Sequence, residues 1–88
     1  MDESTRTVDS DGTITYRNSL DQLHRVDGPA VEDANGDKWW YINGQRHRID
    51  GPAIEYANGE VEYWYKGKQI SKRTYLSKAF QVKMILEG

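Results

Sequence analysis

The chain predicts a mainly β fold, an antiparallel meander of six or seven short strands capped by one C-terminal helix. Three observations carry this. The first is an internal duplication: His24-Arg25-Val26-Asp27-Gly28-Pro29-Ala30-Val31-Glu32 returns 23 residues later as His47-Arg48-Ile49-Asp50-Gly51-Pro52-Ala53-Ile54-Glu55. The second is a set of turn signals at fixed places in each copy. The third is a final stretch from Ser71 with no Gly or Pro before Gly88.

The duplication extends beyond the motif. Ala34-Asn35-Gly36 returns as Ala57-Asn58-Gly59 and Gly44 as Gly67, while Trp39-Trp40-Tyr41 corresponds to an aromatic run, Tyr63-Trp64-Tyr65. A weaker unit lies upstream, where Asp11-Gly12 and Thr13-Ile14-Thr15-Tyr16 reach His24 one residue out of register; we read it as a cap. The array ends where Ile70-Ser71 replaces the next His-Arg.

Asn35-Gly36, Asn43-Gly44 and Asn58-Gly59 tolerate positive φ and mark hairpins, and Lys66-Gly67 takes the same place in its copy. Asp27-Gly28-Pro29 and Asp50-Gly51-Pro52 are breaks, because proline has no N–H to give a ladder. Strands are expected over 13–17, 29–33, 37–42, 45–49, 53–56, 60–66 and 68–70, where Trp, Tyr, Ile and Val concentrate. Alternation puts Trp40 and Ile42 on one face, with Trp39 and Tyr41 on the other. It likewise groups Val61, Tyr63 and Tyr65 against Glu62 and Trp64. The repeat register then pairs Trp40 with Tyr63 as core and aligns Tyr41 with Trp64 on the second face.

Ser71 is a good N-cap for a helix over 71–87. Leu76, Ala79, Phe80 and Met84 form its apolar stripe, widened by Tyr75, Val82 and Leu86. So short a helix is marginal in water and must lie on the sheet. Residues 1–10 read as a flexible acidic N-terminus.

Composition narrows the function. Eighty-eight residues make one domain with a thin core, and three Trp, six Tyr and one Phe supply much of it. With no cysteine there is no disulfide and no thiolate nucleophile, which suits a reducing cytoplasm. No apolar run approaches the roughly 20 residues of a membrane span. The net charge of −2 is unevenly spread: residues 66–88 carry six bases and one acid, residues 13–65 nine acids and five bases.

The residue pattern Trp40-Tyr41-Ile42-Asn43-Gly44-Gln45-Arg46-His47-Arg48-Ile49-Asp50-Gly51-Pro52-Ala53-Ile54-Glu55-Tyr56-Ala57-Asn58-Gly59 resembles small tandem-repeat proteins of bacteriophages and bacteria. Their form is W-Y-x-N-G-x-x-H-R-x-D-G-P-A-x-E-x-A-N-G. The units are also similar to MORN hairpin repeats, which lack the HRxDGPA element. The resemblance covers roughly residues 11–70. It implies a β-hairpin array without enzyme activity or cofactor. In the phage setting it implies a host-takeover or anti-defence factor, of the anti-CRISPR kind or similar.

Each distinctive element has two readings. His24, Arg25, His47 and Arg48 would form a ridge for phosphate or carboxylate, or the motif is structural. In the structural reading Asp27 and Asp50 accept backbone N–H bonds in their Gly-Pro turns, and Arg25 and Arg48 pair with acids on neighbouring strands. Repetition of the whole motif, including His24, Gly28, Pro29, His47, Gly51 and Pro52, favours the structural reading. Two histidines 23 residues apart lack compact metal-ligand spacing. His24–Asp27 and His47–Asp50 lack a nucleophile beside them, so neither metal nor catalytic residues are expected.

Trp39, Tyr41 and Trp64 either anchor a partner or lie beneath the C-terminal helix. As anchors they would meet a protein, with Arg25, Arg48, Lys66 and Lys68 at the same surface. They would alternatively stack unpaired bases, with Lys66, Lys68, Lys72 and Arg73 on the phosphates. Asp33, Asp37, Glu55, Glu60 and Glu62 give the body an acidic surface that either meets the basic channel of a nuclease or, the reading favoured residue by residue at a net charge of −2, serves ordinary solubility. The expected activity is non-enzymatic inhibition by steric occlusion; the family resemblance alone implies a bacterial host or defence protein as the target. Single-stranded nucleic-acid binding is the alternative, and open sheet edges leave room for a homodimer.

Overall fold

Each copy is organised around one aromatic residue at which a strand changes partners. In the computed structural model, which describes residues 4–87, Trp40 separates β4 (Lys38–Trp39) from β5 (Tyr41–Ile42). Its amide donates to the Ala53 carbonyl (2.8 Å), while its own carbonyl accepts from the His47 amide (3.2 Å). Tyr16 repeats the pattern, donating to Ala30 and accepting from His24. Tyr63 is the third such residue, though β8 (Val61–Tyr65) runs through it unbroken.

The strands that lead into these points, joined by the one strand after Tyr63, form the main sheet. It comprises β1 (Thr5–Val8), β2 (Ile14–Arg17), β3 (Val31–Glu32), β4, β7 (Ile54–Glu55), β8 and β9 (Lys68–Ile70), in that spatial order and antiparallel throughout. The strands after Trp40 leave it: β5 pairs with β6 (Gln45–Arg46) as a separate hairpin. The fold class is thus mainly antiparallel β with a C-terminal helical segment, as expected.

Turn chemistry fixes the register. Asp9–Thr13, Asp33–Asp37 and Tyr56–Glu60 close with the same pair of backbone bonds, and glycines 12, 36 and 59 hold φ of 93°, 99° and 94°. Asn43-Gly44 and Lys66-Gly67 have positive φ at both positions, the geometry that matches strand twist across a two-residue loop. The corresponding upstream loop spans Asn18–Gln22, with Asp21 at φ 63°. That longer loop holds the one extra residue of the upstream unit.

Three expectations are corrected. Residues 5–8 are not a flexible tail but the edge strand β1, paired to β2 from Thr5↔Arg17 to Val8↔Ile14, and Asp9 closes the turn that follows; residues 1–3 of the acidic N-terminus lie outside the described residues. The stretch 37–42 is not one strand, because Trp40 hands the chain from one partner to another. The C-terminal helix is two helices, α1 (Lys72–Leu76) and α2 (Lys78–Glu87). Ser71 caps the first as expected, its side chain accepting from the Thr74 amide (3.0 Å). Ser77 then turns extended (ψ 144°), and its Oγ accepts from the Phe80 amide (3.2 Å), starting a second helix.

The break at Ser77 rotates the apolar stripe. Tyr75, Phe80 and Met84 turn to the sheet: Tyr75 stacks on Tyr63 (4.5 Å between centroids), and Phe80 meets Tyr65 edge-on (5.1 Å). Tyr65 and Met84 are buried. Leu76, Val82 and Leu86, expected on the same stripe, face solvent with Ile85, and Ala79 is exposed. The helices pack on Tyr63 and Tyr65, at one end of the face that also carries Trp40, and not on the Trp39, Tyr41 and Trp64 face. Trp40 and Tyr63, the expected core pair, are only half-buried, whereas Ile54, paired with Trp39 on the other face, is 1% exposed. The molecule is accordingly thin, 42 × 32 × 17 Å.

The motif arginines lock this arrangement. Arg48 lies 3.9 Å above the Trp40 ring, and Arg25 4.0 Å above Tyr16. Arg48 donates to Asp50 (2.8 Å), to the Pro52 carbonyl (3.0 Å) and to Glu55 (2.8 Å). Arg25 makes the equivalent bonds to Asp27, Pro29 and Glu32 at 3.1, 3.2 and 3.4 Å. The motif glycine leaves room for this contact: a Cβ on Gly51 would stand 2.9 Å from the Arg48 Cζ, and on Gly28 3.0 Å from that of Arg25, so the guanidinium would have to shift. The motif alanines, Ala30 and Ala53, are fully buried at the sheet centre.

Two outcomes follow. Arg48→Lys keeps the charge but loses the planar fork that reaches three acceptors, and costs about 1.5–3 kcal/mol. Gly51→Ala pushes the guanidinium off its ring and costs about 1–3 kcal/mol. Urea unfolding measures both; a midpoint unchanged in either variant contradicts the clamp.

Candidate functional site

The uncovered face carries an arginine that sequence reasoning missed. The register pairs Thr15, Val31, Trp39, Ile54 and Glu62 across the sheet, so their side chains share a face. Trp64 lies two residues beyond Glu62 on the same side. The β5–β6 hairpin adds Tyr41 and, directly opposite it, Arg46.

Arg46 sits at the centre of this cluster. Its guanidinium lies 4.7 Å from the Trp64 ring, 5.1 Å from Trp39 and 5.9 Å from Tyr41, and its Nε donates to the Tyr41 hydroxyl (3.1 Å). Trp39 meets Tyr56 edge-on at 6.3 Å. Glu62 completes the group, accepting from the Trp64 indole N–H (2.9 Å) and the Tyr56 hydroxyl (2.8 Å). These residues are half-buried. Tyr41, Gly44, Gln45, Arg46, Trp64 and Gly67 border a shallow depression of about 350 Å³. The Trp39 indole nitrogen is buried without a hydrogen-bond partner among the described residues.

These hydrogen bonds tune the acids. The Trp64 N–H, the Tyr56 hydroxyl and the nearby Arg46 charge hold the Glu62 carboxyl below its ordinary value of 4.5. The same bond, with lesser help from burial and the carboxylate charge, raises Tyr56 above 10.0.

The other predicted residues are placed elsewhere. Arg25 and Arg48 are committed to their turns on the Trp40 face, and among the described residues Asp27 and Asp50 accept from the arginine side chains and not, as expected, from the amides of their own turns. Pairing with Glu32 and Glu55 on the neighbouring strands is as expected. His24 accepts from the Asn43 amide through Nδ1 and His47 from the Lys66 amide, both at 2.9 Å. Each histidine therefore ties one copy to the hairpin turn of the next. Lys66 leans away from the aromatic cluster, toward Glu87 (3.7 Å) and the Tyr65 ring. Lys68 pairs with Tyr65 and so shares its face. The lysines and the uncovered aromatics are thus on opposite sides.

Of the acidic residues, Glu55 serves Arg48, Glu62 serves the cluster, and Asp37 accepts from the Ala57 amide (2.7 Å). Among the described residues, no group of three or more His, Cys, Asp or Glu is placed to hold a metal ion, and no helix is long and apolar enough to cross a membrane.

What the fold and this face define is a thin antiparallel β protein, capped on one side by two short helices, whose other side presents a tryptophan–tyrosine–arginine cluster. Comparison with protein-family models, curated proteins and solved structures returns no match.

Because the folded-state carboxyl of Glu62 is depressed, its contribution is complete above the unfolded value and is lost as pH falls through the folded one. Acidification below about pH 4.5 should therefore erode stability more in the natural chain than in Glu62→Gln. Parallel unfolding curves for the two proteins from pH 6 to 3, followed by tryptophan fluorescence, would contradict this assignment.

Proposed function

We propose that this protein acts by stoichiometric, non-enzymatic binding to another protein, and that the Trp39–Tyr41–Arg46–Trp64 face makes the contact. The observation that carries this reading is the composition and position of that face. Trp, Tyr and Arg are the residues over-represented among interface hot spots, and here they converge on one surface that the C-terminal helices leave uncovered. They are already ordered against one another, so little side-chain entropy remains to be lost on association. The sequence resemblance to small phage and bacterial repeat proteins supports a bacterial host protein as the partner. Within the host cytoplasm, an inhibitor of a defence nuclease such as a CRISPR effector, acting by occlusion, fits the acidic body.

Single-stranded nucleic acid is the weaker reading. Lys66 and Lys68 stand on the far side from the aromatic cluster, so one strand cannot easily use both. The uncovered rings also have Glu62 among them, which repels phosphate.

The test is affinity capture of the tagged chain from its bacterial host, followed by reconstitution with the purified partner. Tyr41→Ser and Trp64→Ala should each raise the Kd about 30-fold, a loss of about 2 kcal/mol, with far-ultraviolet circular dichroism unchanged. Binding indifferent to both substitutions would reject this face. A salt-dependent shift of single-stranded DNA at low ionic strength, without a protein partner, would favour the alternative.

A further inference from the structure

The opposite face holds a second concavity. It measures about 680 Å³ and is bordered by Val26, Pro29, Trp40, Ile42, Ile49 and Asp50, among others. Val26 and Ile49 are 64% and 44% exposed and stand together at this groove.

The duplication shows what such a groove accommodates. Adding 23 to the residue numbers maps Val26, Pro29, Trp40 and Ile42 onto Ile49, Pro52, Tyr63 and Tyr65. That downstream groove is filled by the chain's own C-terminal segment. Tyr75 stacks on Tyr63, its hydroxyl donating to the Ile49 carbonyl (2.9 Å); Phe80 packs on Tyr65, and Met84 is buried behind them. The filling segment is also basic, with Lys72, Arg73, Lys78 and Lys83 against Glu87.

Among the described residues no segment packs on the upstream groove in this way. Its lining differs: Trp40 and Ile42 stand where the downstream copy has Tyr63 and Tyr65, and Arg48 lies on one side of Trp40, where the downstream copy has Ser71. An incoming ring there meets Val26, Ile42, Ile49, the accessible part of Trp40 and the flank of the guanidinium. At its rim stand the carboxylates of Asp27 and Asp50, 76% and 80% exposed; each pairs through Oδ1 with its motif arginine, Arg25 or Arg48, and offers its second oxygen to a guest cation. An apolar floor with an acidic rim complements a segment that pairs an aromatic anchor with basic flanks, as the downstream occupant does. Ile49 and Asp50 stand between the two grooves, so the guest would lie beside α1 and extend the helical layer.

We propose that the Val26–Trp40–Ile42 groove is a docking site for a basic helical segment of a partner protein that inserts a tyrosine or phenylalanine. The site is separate from the tryptophan–arginine face, and its test does not depend on that face.

The probe is a synthetic peptide of residues 71–87, titrated into the full-length isotope-labelled chain and followed by nuclear magnetic resonance. The expected result is saturable shifts of the Val26, Ile42 and Ile49 amides and the Trp40 indole, with a Kd of about 100 µM or tighter. Val26→Lys, at an exposed site, should raise that Kd at least about tenfold, as should alanine at the peptide's tyrosine. Raising salt from 50 to 500 mM should weaken binding, a readout independent of how Val26→Lys folds. Absence of binding at about 1 mM peptide, shifts centred on Tyr63 and Tyr65, or binding unaffected by Val26→Lys and by salt would each overturn the proposal. So would concentration-dependent dimerisation of the chain through this groove, which would assign it to a second copy.

Discussion

A guanidinium laid on an aromatic ring is the interaction on which the rest of the structure depends. Arg48 on Trp40 and Arg25 on Tyr16 hold the residue at which each strand changes partner. The same side chains bond an aspartate and a proline carbonyl in their own turn and a glutamate on the next strand. Turn, switch point and ladder are thereby joined through one planar group, which a lysine cannot reproduce. The motif reads as a set of physical requirements. Glycine admits the guanidinium, alanine lets the sheet centre close, aspartate and glutamate supply acceptors, and histidine receives the next hairpin's amide. A thin domain without disulfides needs such cross-links, because its buried apolar surface is small. In the last copy, Ser71 replaces the arginine and Tyr75 supplies the ring cover from the C-terminal segment.

The turns and faces of the fold were legible in the sequence because they are local. Asn43-Gly44 and Lys66-Gly67 dictate two-residue loops, and period-two alternation separates Trp39 and Tyr41 from Trp40 and Ile42 correctly. Less legible was what depends on partners far along the chain. Residues 5–8 lack the apolar alternation of a half-buried strand, since β1 is a fully exposed edge held by backbone pairing to β2. Trp40 divides its strand because the Ala53 carbonyl and the His47 amide approach from different strands, a fact no window of neighbouring residues contains. The break at Ser77 did have a signal, a serine three residues before an apolar anchor, but an uninterrupted helical pattern concealed it.

The candidate site was half visible for the same reason. Trp39, Tyr41 and Trp64 follow from alternation alone. Arg46 requires one further step: a two-residue turn at 43–44 places position 46 opposite Tyr41, on its face. The same step at 66–67 puts Lys68 opposite Tyr65 and separates it from Trp64. Carrying turn geometry through to cross-strand pairs would have assembled the aromatic–arginine cluster and dispersed the basic one. Which side the helix covers was not recoverable, since it turns on the rotation introduced at Ser77.

The arginine-on-ring account is tested most directly by a double-mutant cycle between Arg48 and Trp40, using Arg48→Met, Trp40→Leu and the pair, with unfolding free energies from urea titration. It predicts that the double variant loses less than the sum of the single variants, by about 1 kcal/mol or more, because each single change removes the same contact. Additivity within about 0.4 kcal/mol would show that the guanidinium and the ring act independently, and would contradict the account.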